Sequence, residues 1–572
     1  MVANAHAAGA PAPEKDGLAP APQAGAAPQT PFVPGGLPSP GPRYATRGMV
    51  ASCSAEAAAV GMRVLLDGGN AFDAAVAVAM VEGLTLPAAC GLGGDAFVVL
   101  YDARSGQVHG INGSGAAAGQ ASRDYYVSRG HRTMPLDGLH SVSVPGAPHA
   151  YWTLHQRFGS RPWAELLEPA IAYAEEGVPV SRRMQRGING ARGKLERFAS
   201  TAAVYLPGGE APRQGSRLRR PDYARSLRLL AEGGADAFYR GPLAAEIVRY
   251  SQEHGGLFTA ADFAAHTSDV YEPIHTTYRG VTVYQTRPPS QGLLLLEQLN
   301  ILEGFDLSSS GFGTAETIHL MVEAKKLAFA DRLRYAGDPR FVETPLEELL
   351  SKPFATRRRQ QIDPQRAAGA VPGAPPEDLS GDTTSFCVVD GQGNAVSFIH
   401  SLSAGWGSGV VAGATGIMLN NRAGRGFTLE EGHPNVLAGG KRTMHTLNCY
   451  LLMRDGALYA VGNTPGGDMQ PQWNVQVICN LLDFGMDVQQ AVEAPRWYSF
   501  PGTDPATLDS PLELRLESRF DPAVPAALAA RGHRVVGLGP WDGGACQVIV
   551  RQEDGVLAGG SDPRGGGIAL GM

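Results

Sequence analysis

The sequence predicts a layered α/β protein. Three observations carry this. The middle third, at 163–176, 222–233, 242–254, 315–334 and 345–358, places apolar residues three and four apart, the spacing of amphipathic helices. After Thr383 the pattern changes to short β-prone runs, and the first two, 386–389 and 395–399, flank Asp390-Gly391-Gln392-Gly393-Asn394, a strong hairpin signal. Further runs at 409–412, 449–453 and 457–462 lead into a helical stretch at 473–484, so strands and helices alternate. A length of 572 residues implies two domains or one large layered domain, and 43% hydrophobic content supplies its core.

The elements follow in order. Residues 1–43 are rich in Ala, Pro and Gly, lack the apolar core of a signal peptide and read as a disordered leader, which places the mature protein in the cytoplasm. Order begins near Tyr44, with a helix at 53–66 that ends at Asp67-Gly68-Gly69 and a second helix from Ala71. The turn Gly91-Leu92-Gly93-Gly94-Asp95 leads into a strand at 96–101; a tight turn beside packed backbone explains such glycines better than a phosphate cradle does. Residues 274–284 read as one strand, and 366–379 as an exposed flexible connector.

Several function classes are disfavoured. A net charge of −7 offers no general attraction to nucleic acid or anionic membrane. The most apolar stretch, 75–86, is interrupted by Glu82, so a membrane span is not expected. Cys53, Cys90, Cys387, Cys449, Cys479 and Cys546 form no C-x-x-C pair and read as buried small hydrophobes. Neither an H-E-x-x-H metal motif nor a G-x-S-x-G elbow between strand and helix is present. No metal and no cofactor are called for, and a small molecule is the expected partner.

The stretch Asp382-Thr383-Thr384-Ser385-Phe386-Cys387-Val388-Val389-Asp390, followed by Gly393-Asn394-Ala395-Val396, resembles the processing site of the gamma-glutamyltranspeptidase superfamily, whose pattern is T-T-H-Y-S-V-V-D. The match continues at Gly68-Gly69-Asn70-Ala71, Arg287-Pro288-Pro289-Ser290, Ile301-Leu302-Glu303-Gly304-Phe305, Gly416-Ile417-Met418-Leu419-Asn420-Asn421, Pro465-Gly466-Gly467-Asp468 and Glu493-Ala494-Pro495-Arg496. It covers roughly Tyr44 to Gly565, with the motifs in the family's order.

The resemblance implies a four-layer αββα sandwich of the N-terminal-nucleophile type. It implies a precursor that cuts itself between Asp382 and Thr383 into a large subunit, 44–382, and a small one, 383–572, which stay together as a heterodimer. The chemistry is intelligible without it. A threonine hydroxyl is a weak nucleophile until a base takes its proton, and cleavage creates on the same residue an α-amine of pKa about 8. Thr383 would be nucleophile and base carrier together. By the same resemblance Gly466 and Gly467 match the oxyanion-hole pair, and Ser401 keeps a hydroxyl where the family has a threonine that hydrogen-bonds the nucleophile.

The substrate-holding residues depart from the family. Its carboxylate-binding arginine aligns with Ser114, its serine pair with His445 and Thr446, its amine-binding Asn with Ser403, and an amide and an acid of the amine subsite with Arg422 and Arg425. At an effective dielectric near 20, an arginine about 4 Å from an ammonium costs on the order of 4 kcal/mol. A γ-glutamyl donor should then bind badly and an anionic acyl group well. The lesser alternative is that Arg422 and Arg425 are surface residues in a mobile loop. These changes resemble the amidohydrolase and acylase branches, such as oxamate amidohydrolase and class IV cephalosporin acylase. The segment 428–440 is short for a lid, which favours water as acyl acceptor. The expected function is a self-processing N-terminal-threonine amidohydrolase with a covalent acyl-enzyme. The alternatives are a gamma-glutamyltransferase or glutathione hydrolase, and an unprocessed scaffold, which Ser385 in place of the motif's histidine keeps open.

Overall fold

The computed structural model describes residues 41–369, 383–505, 508 and 510–572. The leader up to residue 40, the connector beyond residue 369 and Asp382 lie outside the described residues.

Two seven-stranded sheets form the body. The first runs Ile568–Gly571, Gly48–Ser52, Thr384–Asp390, Ala395–Ser401, Asp95–Asp102, Gln107–Gly113, Asp269–Tyr271. The second runs Arg43–Ala45, Leu557–Ser561, Gln547–Arg551, Ala457–Asn463, Cys449–Arg454, Val281–Gln285, Ile274–Tyr278. All their pairings are antiparallel.

Alternation along each strand sorts the side chains into layers. In Thr384–Asp390, Phe386 and Val388 join the core shared with the helices Ala55–Leu66 and Ala71–Thr85. Cys387 and Val389 face the other way, into a core with Phe97, Val99, Leu451, Val461 and Ile549 that lies between the two sheets. On the far side of the second sheet, Tyr450 and Leu452 pack with Leu295 and Leu299 of Gly292–Leu302 and Ile478 of Gln470–Leu482. The order helix, sheet, sheet, helix is the αββα sandwich expected.

Local chemistry fixes the central hairpin. Asp390 Oδ1 accepts from the amides of Gln392 and Asn394 at 2.9 and 3.0 Å, closing the turn. Its Oδ2 accepts from the Ala71 amide at 2.9 Å, where a carboxylate suits a helix N-terminus. Asn70 completes that helix start as a capping box with Asp73.

Three expectations need correction. Residues 274–284 form two strands, not one, because Arg279 and Gly280 both take positive φ, 50° and 77°, and reverse the chain. Residues 409–412 form no strand: Gly409 lies at φ 78°, and one isolated bridge joins Val411 to Met418. The helix expected at 345–358 is split into Leu346–Leu349 and Lys352–Arg359, with Ser351 capping the second. All six cysteines are free and buried, as read. Among the described residues no helix is long and apolar enough to cross a membrane.

Candidate active site

Hairpin register explains why the two hydroxyl residues stand eighteen apart. Thr384 pairs with His400, so the preceding Thr383 falls beside Ser401 on the neighbouring strand. Their hydroxyls meet at 2.9 Å, and both residues are buried. Ser401 Oγ also accepts from the Ser403 amide at 2.8 Å, and Ser403 turns the chain there at φ 88°.

The facing wall comes from the second sheet. Ala457–Asn463 ends at Asn463, whose Nδ2 donates to Phe386 O, Phe398 O and Ser397 Oγ at 2.9–3.1 Å. This clamps the strand to the hairpin that carries Thr383. The chain then runs through Pro465, Gly466 and Gly467 into the helix Gln470–Leu482. Gly466 and Gly467 take φ 132° and 57°, conformations that glycine adopts cheaply. A Cβ on Gly466 would meet the Trp473 ring at 2.2 Å. Two N–H groups at the start of a helix are suited to receive negative charge.

Thr383, Gly466 and Gly467 line one cleft of about 1040 Å³. Trp473, Tyr498 and Phe500 give it aromatic surface, and Arg182, Arg183 and Arg186 also line it.

Buried ion pairs hold the floor. Arg332 Nη1 donates at 2.7 Å both to Asp468 Oδ1 and to Gln291 Oε1. Gln291 Nε2 donates in turn to Gly467 O at 2.9 Å. Asp468 Oδ2 accepts from the Asp504 amide at 2.9 Å and from Thr503. Burial works against the Asp468 carboxylate, but Arg332 and the Thr503 amide hold its pKa below the ordinary value.

Of the six residues expected to bind substrate, Arg425 alone lines the cleft. Its Nε donates to Asp504 Oδ2 at 2.7 Å and its Nη1 to Ser403 O at 3.1 Å, so its charge is met by an aspartate. The other five are buried, and of them Ser403 touches the hydroxyl pair through its amide. Ser114 donates to Asn112 Oδ1 at 2.7 Å. His445 lies 3.0 Å from Asp95 Oδ2 through Nε2 and accepts from the Leu447 amide at Nδ1, which makes Nε2 its protonated nitrogen. Arg422 reaches the Thr446 hydroxyl at 3.4 Å, while its Nε and the Ser403 hydroxyl have no partner among the described residues. Burial pushes Asp95 up to about 7 although Arg422 pulls it down, and burial brings Arg422 down to about 10.

The expected charge reversal is therefore moderated. Arg332 and Arg425 are paired with Asp468 and Asp504, and Arg422 faces Asp95. The cleft lining as a whole holds six arginines, 182, 183, 186, 425, 515 and 564, against three aspartates, 468, 504 and 542, and from behind it Glu513 pairs with Arg515, and Glu517 and Asp562 with Arg564. Sequence reasoning assigned no role to Gln291, Arg332, Asp468 or Asp504. Gln291 and Asp468 adjoin or belong to quoted motifs, but Asp504 has no local signal.

Two packed sheets with a threonine at the head of a central strand, opposite paired glycines at a helix start, define the class of N-terminal-nucleophile hydrolases, enzymes that act on amide C–N bonds. Comparisons with known proteins agree. The family model described as Gamma-glutamyltranspeptidase matches residues 57–572. The chain is 39% identical over 531 residues to the glutathione hydrolase-like YwrD proenzyme of Bacillus subtilis, covering 92% of this chain and 99% of that one. It is 34% identical to the oxamate amidohydrolase proenzyme of Klebsiella pneumoniae, covering 92% and 98%. The solved structure of cephalosporin acylase from Bacillus halodurans superposes with a TM-score of 0.87 at 36% identity, covering 95% and 99%. The chain belongs to the gamma-glutamyltranspeptidase family.

Proposed function

We propose that the protein is a self-processing amidohydrolase in which Thr383, freed as a chain terminus, opens an amide of a small anionic acyl group. The observation that carries this reading is the 2.9 Å contact between the Thr383 and Ser401 hydroxyls in the cleft that Gly466 and Gly467 also line. The Thr383 amine takes the hydroxyl proton as Oγ1 adds to the substrate carbonyl. The Gly466 and Gly467 amides receive the developing oxyanion, worth about 3 kcal/mol per donor. The leaving amine takes up the proton, and water then hydrolyses the Thr383 ester by the same steps. Relatives whose names include "proenzyme" support processing of this chain, and the motif around Thr383 supports cleavage before it into two pieces that stay together.

The three arginines 182, 183 and 186 along the cleft support an anionic substrate. A second reading, a γ-glutamyl donor, is favoured by the Asp504 carboxylate beside Arg425, which offers a partner for an α-ammonium group. The two separate in a kinetic comparison of glutaryl-p-nitroanilide with γ-glutamyl-p-nitroanilide. These substrates differ only by the α-ammonium, which an arginine about 4 Å away at an effective dielectric near 20 disfavours by on the order of 4 kcal/mol, so the substrate without an amine should have the larger kcat/KM by at least about tenfold. The reverse order would move the assignment to γ-glutamyl chemistry.

Ser401→Ala removes the hydroxyl that touches Thr383 Oγ1 and receives the Ser403 amide. It should slow both self-cleavage, followed on denaturing gels, and turnover by about 10²-fold, within the range for a positioned proton-transfer partner. Unchanged rates for both would leave Ser401 a structural residue.

A further inference from the structure

We propose that His319, Glu323 and His533 form a binding site for a divalent transition metal ion, zinc foremost, remote from the cleft and joining segments on either side of Thr383. His319 and Glu323 stand four apart on the helix Ala315–Tyr335 and therefore share a face. His533 comes from the turn between Ala523–Ala530 and Val535–Leu538. One ligand atom from each lies within 4.8 Å of the other two, and all three residues are buried, at 0%, 3% and 8% exposure.

The hydrogen bonds already orient the first ligand. His319 Nε2 lies 2.8 Å from the Asp363 carbonyl oxygen, which can only accept. Nε2 therefore carries the proton, and the lone pair is at Nδ1. A ring N–H given to a backbone carbonyl is the usual outer-shell support of a metal-bound histidine. That Nδ1 faces His533 Nε2 at 2.8 Å, with the two rings inclined at 69°. With Nδ1 of His319 as the acceptor, His533 Nε2 holds the proton between them, and to ligate it must take the other tautomer, with the proton at Nδ1.

An ion would need modest movement. Metal–nitrogen distances of about 2.0–2.1 Å in tetrahedral geometry put two ligand nitrogens roughly 3.3 Å apart, so the rings must separate by about half an ångström. The ion also displaces Lys326 Nζ, now 2.7 Å from Glu323 Oε1. Lys326 keeps the Ala368 carbonyl as a partner at 3.0 Å. Three protein ligands leave a fourth position for water. In the absence of an ion, His533 donates to His319 and Glu323 stays with Lys326 and the Ala368 amide at 3.1 Å. That the ion would link two separate chains rests on cleavage before Thr383; the site itself does not.

The test is titration of tag-free, chelator-stripped full-length protein with cobalt, followed by zinc in competition with a chromophoric chelator. The wild type should take up one equivalent with the visible ligand-field bands of a four-coordinate site, and zinc should displace it. His254→Ala, at an exposed histidine, should bind identically. His533→Gln and His319→Gln should lose affinity by more than about tenfold. The Thr383→Ala protein should bind like the wild type, which keeps this result apart from any failure of self-cleavage. No uptake by the wild type, or uptake undiminished in His533→Gln, would overturn the site.

Discussion

Thr383→Ala should remain one chain of 60.0 kDa through long incubation, whereas the wild-type sequence should yield pieces of 382 and 190 residues before any trimming of the leader. On the proposed mechanism the variant would lack both the hydroxyl for attack on the Asp382–Thr383 bond and the nucleophile for substrate. Turnover should therefore fall by about 10⁶-fold, the scale of losing a catalytic nucleophile. Thr383→Ser keeps a hydroxyl and should still cleave. Intact mass and a denaturing gel decide the matter, and a Thr383→Ala protein that splits at the same bond would sink intramolecular attack by this residue. The same gel tests the scaffold alternative, since a wild type that never divides would establish it.

The second large effect is expected at Gly467. Its φ of 57° is open to glycine, while a β-branched residue there costs roughly 1–2 kcal/mol of folding stability and turns the peptide away from its present direction. Gly467→Val should lower kcat by about 10²–10³-fold, as loss of one oxyanion donor does elsewhere, with only a small fall in Tm. Gly466 is the poorer probe, because its side chain would collide with Trp473 and confuse a packing defect with a catalytic one. An unchanged acylation rate in Gly467→Val would remove this pair from the mechanism.

Much of this was legible in the sequence. The helix Trp163–Glu176 was found to the residue because one face is apolar and the chain around it supplies clear ends. The hairpin at Thr383 was legible because Asp390 and Asn394 carry turn chemistry in their own side chains. The Arg279-Gly280 reversal is hidden in the sequence because only Gly280 carries a turn signal, while arginine seldom takes the positive φ it has here. Residues 409–412 misled because Val410 and Val411 favour a strand by propensity, while their glycine neighbours and the Thr201 hydroxyl, which accepts from the Val411 amide at 2.8 Å, hold them as loop. The two-sheet core gave no alternation to read, since Thr384–Asp390 is buried on both faces. At the site, the residues along one strand or one turn could be named. The partners of Arg425 could not, because Asp504 lies 79 positions away and only the fold brings it near.

Both sheets mix strands from before and after Thr383. Gly48–Ser52 lies between Ile568–Gly571 and Thr384–Asp390, and Cys449–Arg454 lies beside Val281–Gln285. Neither part of the chain owns a sheet. Breaking the bond before Thr383 would therefore remove a link through which almost none of the molecule's cohesion passes. Only the new ends would gain freedom, and the amine born there would emerge into surroundings already rigid, with no later assembly step to bring its partners into range.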